Sequence, residues 1–533
     1  MISGGSGSPG KDGRNVKPGE KAAWRRGEVW CLVLIAVGCF LRLFRLGTSP
    51  GGVNPDEALA GYEAFCLLRD GMDSWGVVRP VYLTAWGSGM NVLLSVLAMP
   101  FVAILGLCPL AVRLPQALIG CLSLGGFYGI FRQGLDRKTA CIAAAFLSIC
   151  PWHVLSSRYA VESGLLPGFL IFGLFFLLRG RDMRGAWLLS AVFFGLSLYT
   201  YAIVWPVLPL LLLLEAAVLI RGGRWTAWKA QLPGFAGILA LFALPLLLFL
   251  LVNHGVLPEL RLGFLTIPRL PEVRSDEFAL SQVLGHLHVM ARMLILQTDG
   301  ENLFASPVAG TMYRTSLLFF CIGACSSALQ FVRTLRRGKL EGGAVLFPFL
   351  LCGLVLGCLV EGNHSRLNLL HLAQAMMIPL GMVTLIRAVN RKVVLAGIAA
   401  VYLVQAGLFS VNLFTDLAAL RSFTVRAGLE EGLKLAKEKA QGEEIGVTGG
   451  ISYAQILFYD RTDPARFRAD VVRDAEGKYR GVRAFCGFRF GGEAGKCRVI
   501  LGDFETELEN PELERVELET VRVWAPKAPE DPD

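Results

Sequence analysis

The sequence has few charged residues for its length. Only 18% of its 533 residues are Asp, Glu, Lys or Arg, whereas 54% are hydrophobic and the mean hydropathy is +0.52. Because soluble domains carry about 25% charged residues, this composition excludes an ordinary soluble protein. Alternating strands of about ten residues are also absent, which argues against a transmembrane β-barrel.

The sequence also lacks a recognisable metal or cofactor motif. Its thirteen cysteines show no metal-ligand spacing, and most lie in or beside apolar segments, where cysteine acts as a small hydrophobe. Cys486 and Cys497 differ, because they flank a Gly-rich stretch in a polar tail. They could pair in an oxidising compartment or remain free thiols, and the sequence leaves both readings open.

What the chain has in abundance is apolar runs near the length of about 18 residues that crosses a bilayer as a helix. These runs predict an all-α polytopic membrane protein with about 11–13 transmembrane helices. They lie near residues 29–46, 89–107, 112–131, 138–153, 163–178, 186–203, 205–220, 232–252, 314–331, 344–360, 367–386 and 393–414.

The flanking charges predict the orientation. Residues 1–27 are rich in Gly, Ser and basic residues, which predicts a disordered cytoplasmic N-terminus ahead of a membrane domain at 28–414. Short apolar runs separated by turns predict a small extracytoplasmic α/β domain at 415–525, and 526–533 reads as a disordered tail. The net charge of +9 falls mostly in short loops, so it indicates topology in a cell membrane rather than nucleic-acid binding.

One region conflicts with this topology. We expect the loops at 47–88 and 154–162 to face outward together, yet three apolar segments separate them. Three crossings cannot join two loops on one side. One segment between 89 and 153 must therefore fail to cross, be re-entrant or hide a second turn.

The stretch Asn54-Pro55-Asp56-Glu57 follows directly on the first apolar run. Two adjacent carboxylates held against a membrane face suit an active-site loop, since a carboxylate can act as a general base. The alternative is that Asp56 caps a short interfacial helix, because Asp after Pro is a common helix start.

Further polar groups interrupt the apolar sequence, and such groups near a membrane deserve a functional hypothesis. They are Tyr62, the stretch Ser156 to Glu162 with Arg158, a long loop that includes Arg269, and the break containing Asn363, His364, Arg366 and Asn368. Arginine binds phosphate bidentately, so acids and arginines together point to sugar transfer from a polyprenyl-phosphate donor.

Each of these signals also has a plain structural reading. Arg158 could be a topology charge, Glu162 a helix-start acid, and the Asn363–Arg366 stretch an ordinary loop. Asp56 and Glu162 could hold magnesium or manganese, which carboxylates and water suit, although no sequence feature demands a metal.

Several motifs together resemble the GT-C superfamily of integral-membrane glycosyltransferases. The resemblance is to the bacterial group of protein O-mannosyltransferases and aminoarabinose transferases, and it covers residues from about 28 to 414. It rests on Asn54–Glu57 with Tyr62, on 68–76 and 79–82, on Ala111–Gly120, on Cys150–Glu162, on Leu198–Tyr201 and on the Arg366/Asn368 break.

The resemblance implies roles for these residues. Asp56 would be the general base that deprotonates the acceptor, and Glu57 and Glu162 would support the site or hold the metal. The substrate-binding residues would be Arg158, Arg366 and Arg269 at the lipid phosphate, Tyr62 and Tyr201 at the sugar, and Asn363 and His364 beside them.

The expected function is therefore sugar transfer from a polyprenyl-phosphate donor to a protein, glycolipid or envelope glycan at the outer face. The expected partners are that donor, that acceptor and the bilayer. A flippase for lipid-linked sugars is the alternative, although repeats and matched mid-span charges are lacking. A non-catalytic scaffold is a second alternative. The stretch Trp86–Val92 lacks the Lys and Pro that relatives often carry, so no phosphate contact is assigned there.

Overall fold

The chain is described here from a computed structural model. The description covers residues 18–86, 88–180, 182–183, 185–272, 282–298, 303–389, 392–415, 417, 424–473, 481–508 and 510–527. The first of its helices, α1, begins at Pro18, so the segment predicted to be disordered is helical from that residue; residues 1–17 lie outside the described part. The last strand runs to Pro526, and 528–533 again lie outside it.

The described chain is mainly helical, as the apolar runs predicted. The helices are α1 Pro18–Leu43, α2 Pro55–Asp70, α3 Leu93–Leu105, α4 Pro109–Gly134, α5 Arg137–Ile149, α6 Pro151–Ser156, α7 Leu166–Arg179, α8 Ala186–Ser197, α9 Val207–Leu219, α10 Trp225–Trp228, α11 Leu232–Asn253, α12 Val283–Leu296, α13 Leu317–Arg337, α14 Phe347–Leu359, α15 Asn368–Val389, α16 Lys392–Phe414, α17 Leu429–Ala440, α18 Tyr453–Asp460 and α19 Pro464–Asp470.

Within the described residues, seven helical stretches are long and apolar enough to cross a membrane, and four shorter helices are also apolar. The long ones include α4, α11, α15 and α16. The chain is therefore a multi-pass membrane protein. α15 is the most enclosed, with 83% of its apolar window buried by other helices, so it forms the centre of the bundle.

Helix α3 offers one resolution of the conflict between 89 and 153. Its 13 residues span about 20 Å, less than the roughly 30 Å hydrocarbon core. It packs instead on α2, where Ser95 Oγ donates to the Ala60 carbonyl at 3.0 Å. If α3 does not cross, α4 and the consecutive helices α5 and α6 supply the two crossings that the topology needs. The loops on either side meet directly, since the Ala160 amide donates to Glu57 Oε1 at 2.8 Å.

The C-terminal region forms the predicted α/β domain around a seven-stranded sheet. Its strand order is β10-β11-β9-β5-β8-β7-β6, and β5 is parallel to both of its neighbours β8 and β9. Two short hairpins lie outside it. The strands are β1 Tyr82–Leu83, β2 Met90–Asn91, β3 Leu260–Arg261, β4 Thr266–Ile267, β5 Ile445–Val447, β6 Val472–Arg473, β7 Val482–Phe485, β8 Phe488–Phe490, β9 Val499–Asp503, β10 Leu513–Leu518 and β11 Val521–Pro526.

This domain shares its hydrophobic core with the start of the chain. One cluster of buried residues joins Leu59 of α2 and Leu94 of α3 to Leu433, Phe458 and Val523 of the C-terminal domain. The Gln455 side chain also donates to the Val53 carbonyl at 2.7 Å. The predicted boundary at residue 415 is thus a boundary in sequence, whereas the packed unit includes α2 and α3.

Candidate active site

Helix α2 begins at the acidic stretch because of a capping box. The Asn54 side chain accepts from the Glu57 amide at 2.9 Å, and Glu57 Oε2 accepts from the Asn54 amide at 3.1 Å. Pro55 occupies the first turn, where its missing N–H costs nothing. The alternative reading of Asp56 as the cap is wrong, since Asn54 has that place and Asp56 is the exposed residue beside it.

Glu57 is fully buried in an ion pair with Arg113 of α4. Its two oxygens accept from Arg113 Nε at 2.8 Å and from Nη2 at 3.0 Å, and both side chains are 0% exposed. Arg113 also donates to the Leu46 and Pro50 carbonyls, both at 3.1 Å. This geometry gives Glu57 a positioning role at the base of α2 rather than the catalytic role predicted for it.

Asp56 lies on a large cavity between the membrane helices and the C-terminal domain, which we call the interdomain cavity. Its volume is about 970 Å³. Asp56 Oδ1 accepts from the Trp86 indole Nε1 at 3.2 Å. Trp86 has a positive φ of 52°, a conformation that is uncommon for a residue with a Cβ and is often found at functional sites.

The wall opposite Asp56 is formed by the C-terminal domain. It consists of the loop 449–453 after β5, the residues 481–483 at the start of β7, and the loop 490–493 after β8. These residues were missed from sequence. The tail carries no motif, and only the parallel pairing of β5 with β8 brings their two Gly-rich ends together.

Glu162 is half-buried and is held by the hairpin that contains Trp86. Its Oε2 accepts from the Asn91 backbone amide at 2.7 Å and from the Asn91 side chain at 3.1 Å. The hairpin β1–β2 pairs Tyr82 with Asn91, so its loop contacts Asp56 and its second strand contacts Glu162. Asp56 lines the interdomain cavity, but Glu162 and Arg366 are not part of its wall.

Arg158 does not have the predicted access to a substrate. It is 2% exposed and donates to three carbonyls in the last turn of α1 and just after it: Leu41 at 2.8 Å, Phe44 at 3.0 Å and Ser49 at 2.8 Å. Its guanidinium also lies 5.2 Å from the ring centre of Phe414. It therefore holds the end of α1, and the prediction that it binds the lipid phosphate does not fit this geometry.

Tyr62 is also buried, at 0% exposure, on the face of α2 turned to the C-terminal domain. Its hydroxyl donates to the Thr462 carbonyl at 2.9 Å, and its ring meets Phe467 edge to face. This position fits a docking contact rather than the predicted sugar contact. Tyr201 is half-buried against the membrane core before a short 3₁₀ turn, away from the interdomain cavity wall.

Arg269 and the hairpin β3–β4 lie beside the segment that leads into the hairpin β1–β2, whose loop residue Trp86 contacts Asp56. The Val81 amide donates to the Thr266 carbonyl at 2.9 Å, which joins the segment after α11 to the segment between α2 and α3. Arg269 is exposed, and its Nη2 donates to the Leu257 carbonyl at 3.0 Å and the Val252 carbonyl at 3.3 Å. Its surface position remains compatible with the predicted phosphate contact.

The polar break before α15 meets the Glu162 segment. Asn363 caps the turn by accepting from the Arg366 amide at 2.7 Å, and Arg366 is half-buried, with its Nη1 4.0 Å from Glu361 Oε2. The neighbouring Asn368 side chain donates to the Ser163 carbonyl at 2.9 Å. Arg366 and Glu162 are therefore brought to one region by direct contacts between their neighbours.

His364 is almost fully buried, which argues against its predicted contact with substrate. Its Nδ1 lies 2.9 Å from His371 Nε2, and His371 Nδ1 lies 2.8 Å from the Gln374 side-chain oxygen. Burial lowers the pKa of His364 to about 3, so the imidazole is neutral at physiological pH. His371 and Gln374 were missed from sequence, although polar residues within an apolar run are the signal that could have revealed them.

This geometry gives little support to the prediction that Asp56 and Glu162 hold a metal ion. Among the residues that the structure describes, no group of three or more His, Cys, Asp or Glu side chains could hold an ion. Asp56 and Glu162 would supply two carboxylates, whereas magnesium favours six ligands. Cys486 and Cys497 are both free thiols.

The helical membrane part, the capped acidic helix at its face and the α/β domain above it define the class of protein: the fold is that of the GT-C glycosyltransferases, as predicted. The model of the dolichyl-phosphate-mannose-protein mannosyltransferase family matches residues 93–250. The fold and this family match bear out the expected class, a membrane glycosyltransferase. No curated protein matches the sequence.

Among solved structures, the chain is similar to ArnT from Cupriavidus metallidurans bound to undecaprenyl phosphate. The TM-score is 0.57 at 13% identity, over 93% of this chain and 97% of that one. ArnT in the apo state gives 0.56 at 14% identity, over 94% and 98%. The Archaeoglobus fulgidus oligosaccharyltransferase in complex with Zn and sulfate gives 0.50 at 13% identity, over 89% and 68%. These identities establish the fold alone.

Proposed function

We propose that the chain transfers a sugar from a polyprenyl-phosphate donor to an acceptor nucleophile, with Asp56 as the general base. The observation that carries this proposal is that the two adjacent carboxylates have different surroundings. Glu57 is buried with Arg113, whereas Asp56 is exposed on a cavity large enough for a substrate. The family that matches 93–250 and the undecaprenyl phosphate bound to the similar ArnT support the donor class.

The reaction needs few groups. Asp56 accepts the proton of the acceptor hydroxyl or amine, whose freed electron pair attacks the anomeric carbon. The bond between that carbon and the phosphate oxygen breaks, and the polyprenyl phosphate leaves with the bonding electrons. Attack opposite to the leaving group inverts the anomeric centre. The indole N–H of Trp86 holds the carboxylate in place at 3.2 Å.

The phosphate would be stabilised by Arg366 and Arg269. Both side chains are accessible to solvent, unlike Arg158, and guanidinium matches phosphate oxygens bidentately. Glu162 would order the hairpin that carries Trp86 through its contacts with Asn91. We propose further that α2 and the C-terminal domain lie on the outer face of a cell membrane, with the N-terminus inside.

A test of the base uses Asp56→Asn with Asp182→Asn as the matched control, since Asp182 lies on an exposed turn after α7. Purified proteins would be assayed in lipid nanodiscs for release of polyprenyl phosphate from polyprenyl-phosphate sugars. Because a general base contributes about 10²–10⁴-fold, Asp56→Asn should lose at least about a hundredfold in rate. Asp182→Asn should retain the parental rate.

Two outcomes would contradict this proposal. Parental activity in Asp56→Asn would remove the base, and movement of intact donor across vesicles without cleavage would favour the flippase.

Chelation with EDTA tests the metal in the same assay. A lost rate that returns with magnesium or manganese would support an ion at Asp56 and Glu162, and an unchanged rate would contradict it.

A further inference from the structure

The interdomain cavity lies where parallel sheets commonly bind ligands. Strands β5 and β8 are parallel neighbours, paired from Ile445 with Phe488 to Val447 with Phe490. Both carboxyl ends open into the cavity through Gly-rich loops, and Gly449 and Gly491 have positive φ values of 70° and 72°. The crevice outside the carboxyl ends of such strands is a recurrent ligand site.

The lining of the cavity favours a carbohydrate over a lipid chain. Trp86, Tyr453 and Phe490 provide aromatic rings, and Trp86 meets Tyr453 with ring centres 5.2 Å apart. Asp56 and Glu493 provide acceptors for hydroxyl groups, while Arg483 provides donors. Aromatic faces pack on the apolar faces of sugar rings while polar groups bind the hydroxyls, and an acyl chain would need a continuous aliphatic wall.

Tyr453 contributes its ring to the cavity wall. It is 5% exposed and its phenolic oxygen is itself buried, so the aromatic ring and not the hydroxyl is the part of this residue that a ligand could meet.

We propose that the interdomain cavity binds the acceptor and that the acceptor is a glycan. The C-terminal domain supplies Phe490 as a stacking surface and Arg483 as a hydroxyl donor, and the acceptor hydroxyl lies at Asp56. This inference rests on the proposed function, because it names the acceptor class of the same site. It also gives the C-terminal domain a direct part in specificity.

The test measures binding separately from transfer. The purified full chain in nanodiscs is applied to an array of bacterial envelope oligosaccharides and to an array of Ser- and Thr-containing peptides. Arg483→Gln and Phe490→Ala alter the cavity wall, and Arg515→Gln and Phe504→Ala are matched controls on exposed residues of the same domain outside that wall. Circular dichroism and thermal unfolding check that each variant folds.

We expect oligosaccharides and not peptides to bind, with at least a tenfold loss of affinity in Arg483→Gln and Phe490→Ala. The controls should keep parental affinity. With a bound glycan as acceptor, the two cavity variants should raise KM for that glycan. Binding of peptides alone, or equal binding by folded cavity variants and parent, would overturn the proposal. Glycan binding without sugar transfer would retain the acceptor site and reject the transferase.

Discussion

The ion pair between Glu57 and Arg113 fixes the start of α2 and so determines where Asp56 projects. It joins three segments, because Arg113 belongs to α4, Glu57 belongs to α2, and the Ala160 amide donates to the same carboxylate at 2.8 Å. Buried charges are tolerated only when paired and hydrogen-bonded. The pair therefore fixes the position of the first turn of α2, which carries the candidate base Asp56.

Removal of one partner should be costly. Glu57→Gln leaves the Arg113 charge buried without its counter-charge, which costs about 3–5 kcal/mol. We expect a lower unfolding midpoint and lower yield. The exposed pair of Lys434 and Glu430, at 3.0 Å, provides the control, since Glu430→Gln should change stability by no more than about 1 kcal/mol.

The measurement is thermal unfolding in nanodiscs alongside donor cleavage per folded molecule. A Glu57→Gln variant with parental stability and a selective loss of turnover would contradict the structural role. That result would support the catalytic role that the sequence predicted for Glu57.

Single-residue roles were the hardest to predict from sequence, for a physical reason. An arginine that binds phosphate and an arginine that binds carbonyls at a helix end look alike in a sequence. Arg158 proved to be the second kind, as Glu57 and Tyr62 proved to be buried contacts. Exposure distinguishes these cases, and exposure depends on contacts between residues far apart in the chain.

Among the elements, α2 joins the membrane part to the C-terminal domain. Its Gly61 allows close packing, because a Cβ there would come within 2.6 Å of Val112 and 2.8 Å of Phe458. The Tyr62 hydroxyl bond to Thr462 lies at the same interface. α2 is thus packed between α4 and α18.

A substitution at Gly61 should separate these layers. Gly61→Val inserts volume into a close-packed interface, which typically costs about 1–3 kcal/mol. We expect a lower unfolding midpoint and faster proteolysis of the C-terminal domain. Gly125→Val in α4 is the control, because a Cβ there meets nothing within 4 Å. Equal protease resistance of the two variants would show that the α2 interface does not hold the domain.

The apolar composition predicted the helices, but it did not predict their lengths. The topology depends on those lengths. Apolar runs reveal a helix that can enter a bilayer, but the run at 89–107 did not show that α3 ends at Leu105 after 13 residues. The amide contact of Ala160 with Glu57 then brings the segment before α3 and the segment after α6 together. Such a long-range contact leaves no local signal in either segment.

At the scale of the whole molecule, the membrane part and the C-terminal domain enclose one large cavity between them. The fold class was predicted from sequence. The acidic stretch was singled out as an active-site loop, whereas it begins helix α2, and the C-terminal half of the cavity was not predicted. Its walls come from the ends of β5 and β8, whose pairing carries no sequence motif. The central claim is therefore that Asp56 faces the reacting sugar from one wall of the interdomain cavity.

The most direct measurement is an experimental structure of the full-length Asp56→Asn variant in nanodiscs with a polyprenyl-phosphate sugar bound. We predict that the anomeric carbon faces residue 56 across the space for an acceptor oxygen, with the phosphate near Arg366 or Arg269. A sugar bound away from residue 56, with the interdomain cavity closed off from it, would contradict the account.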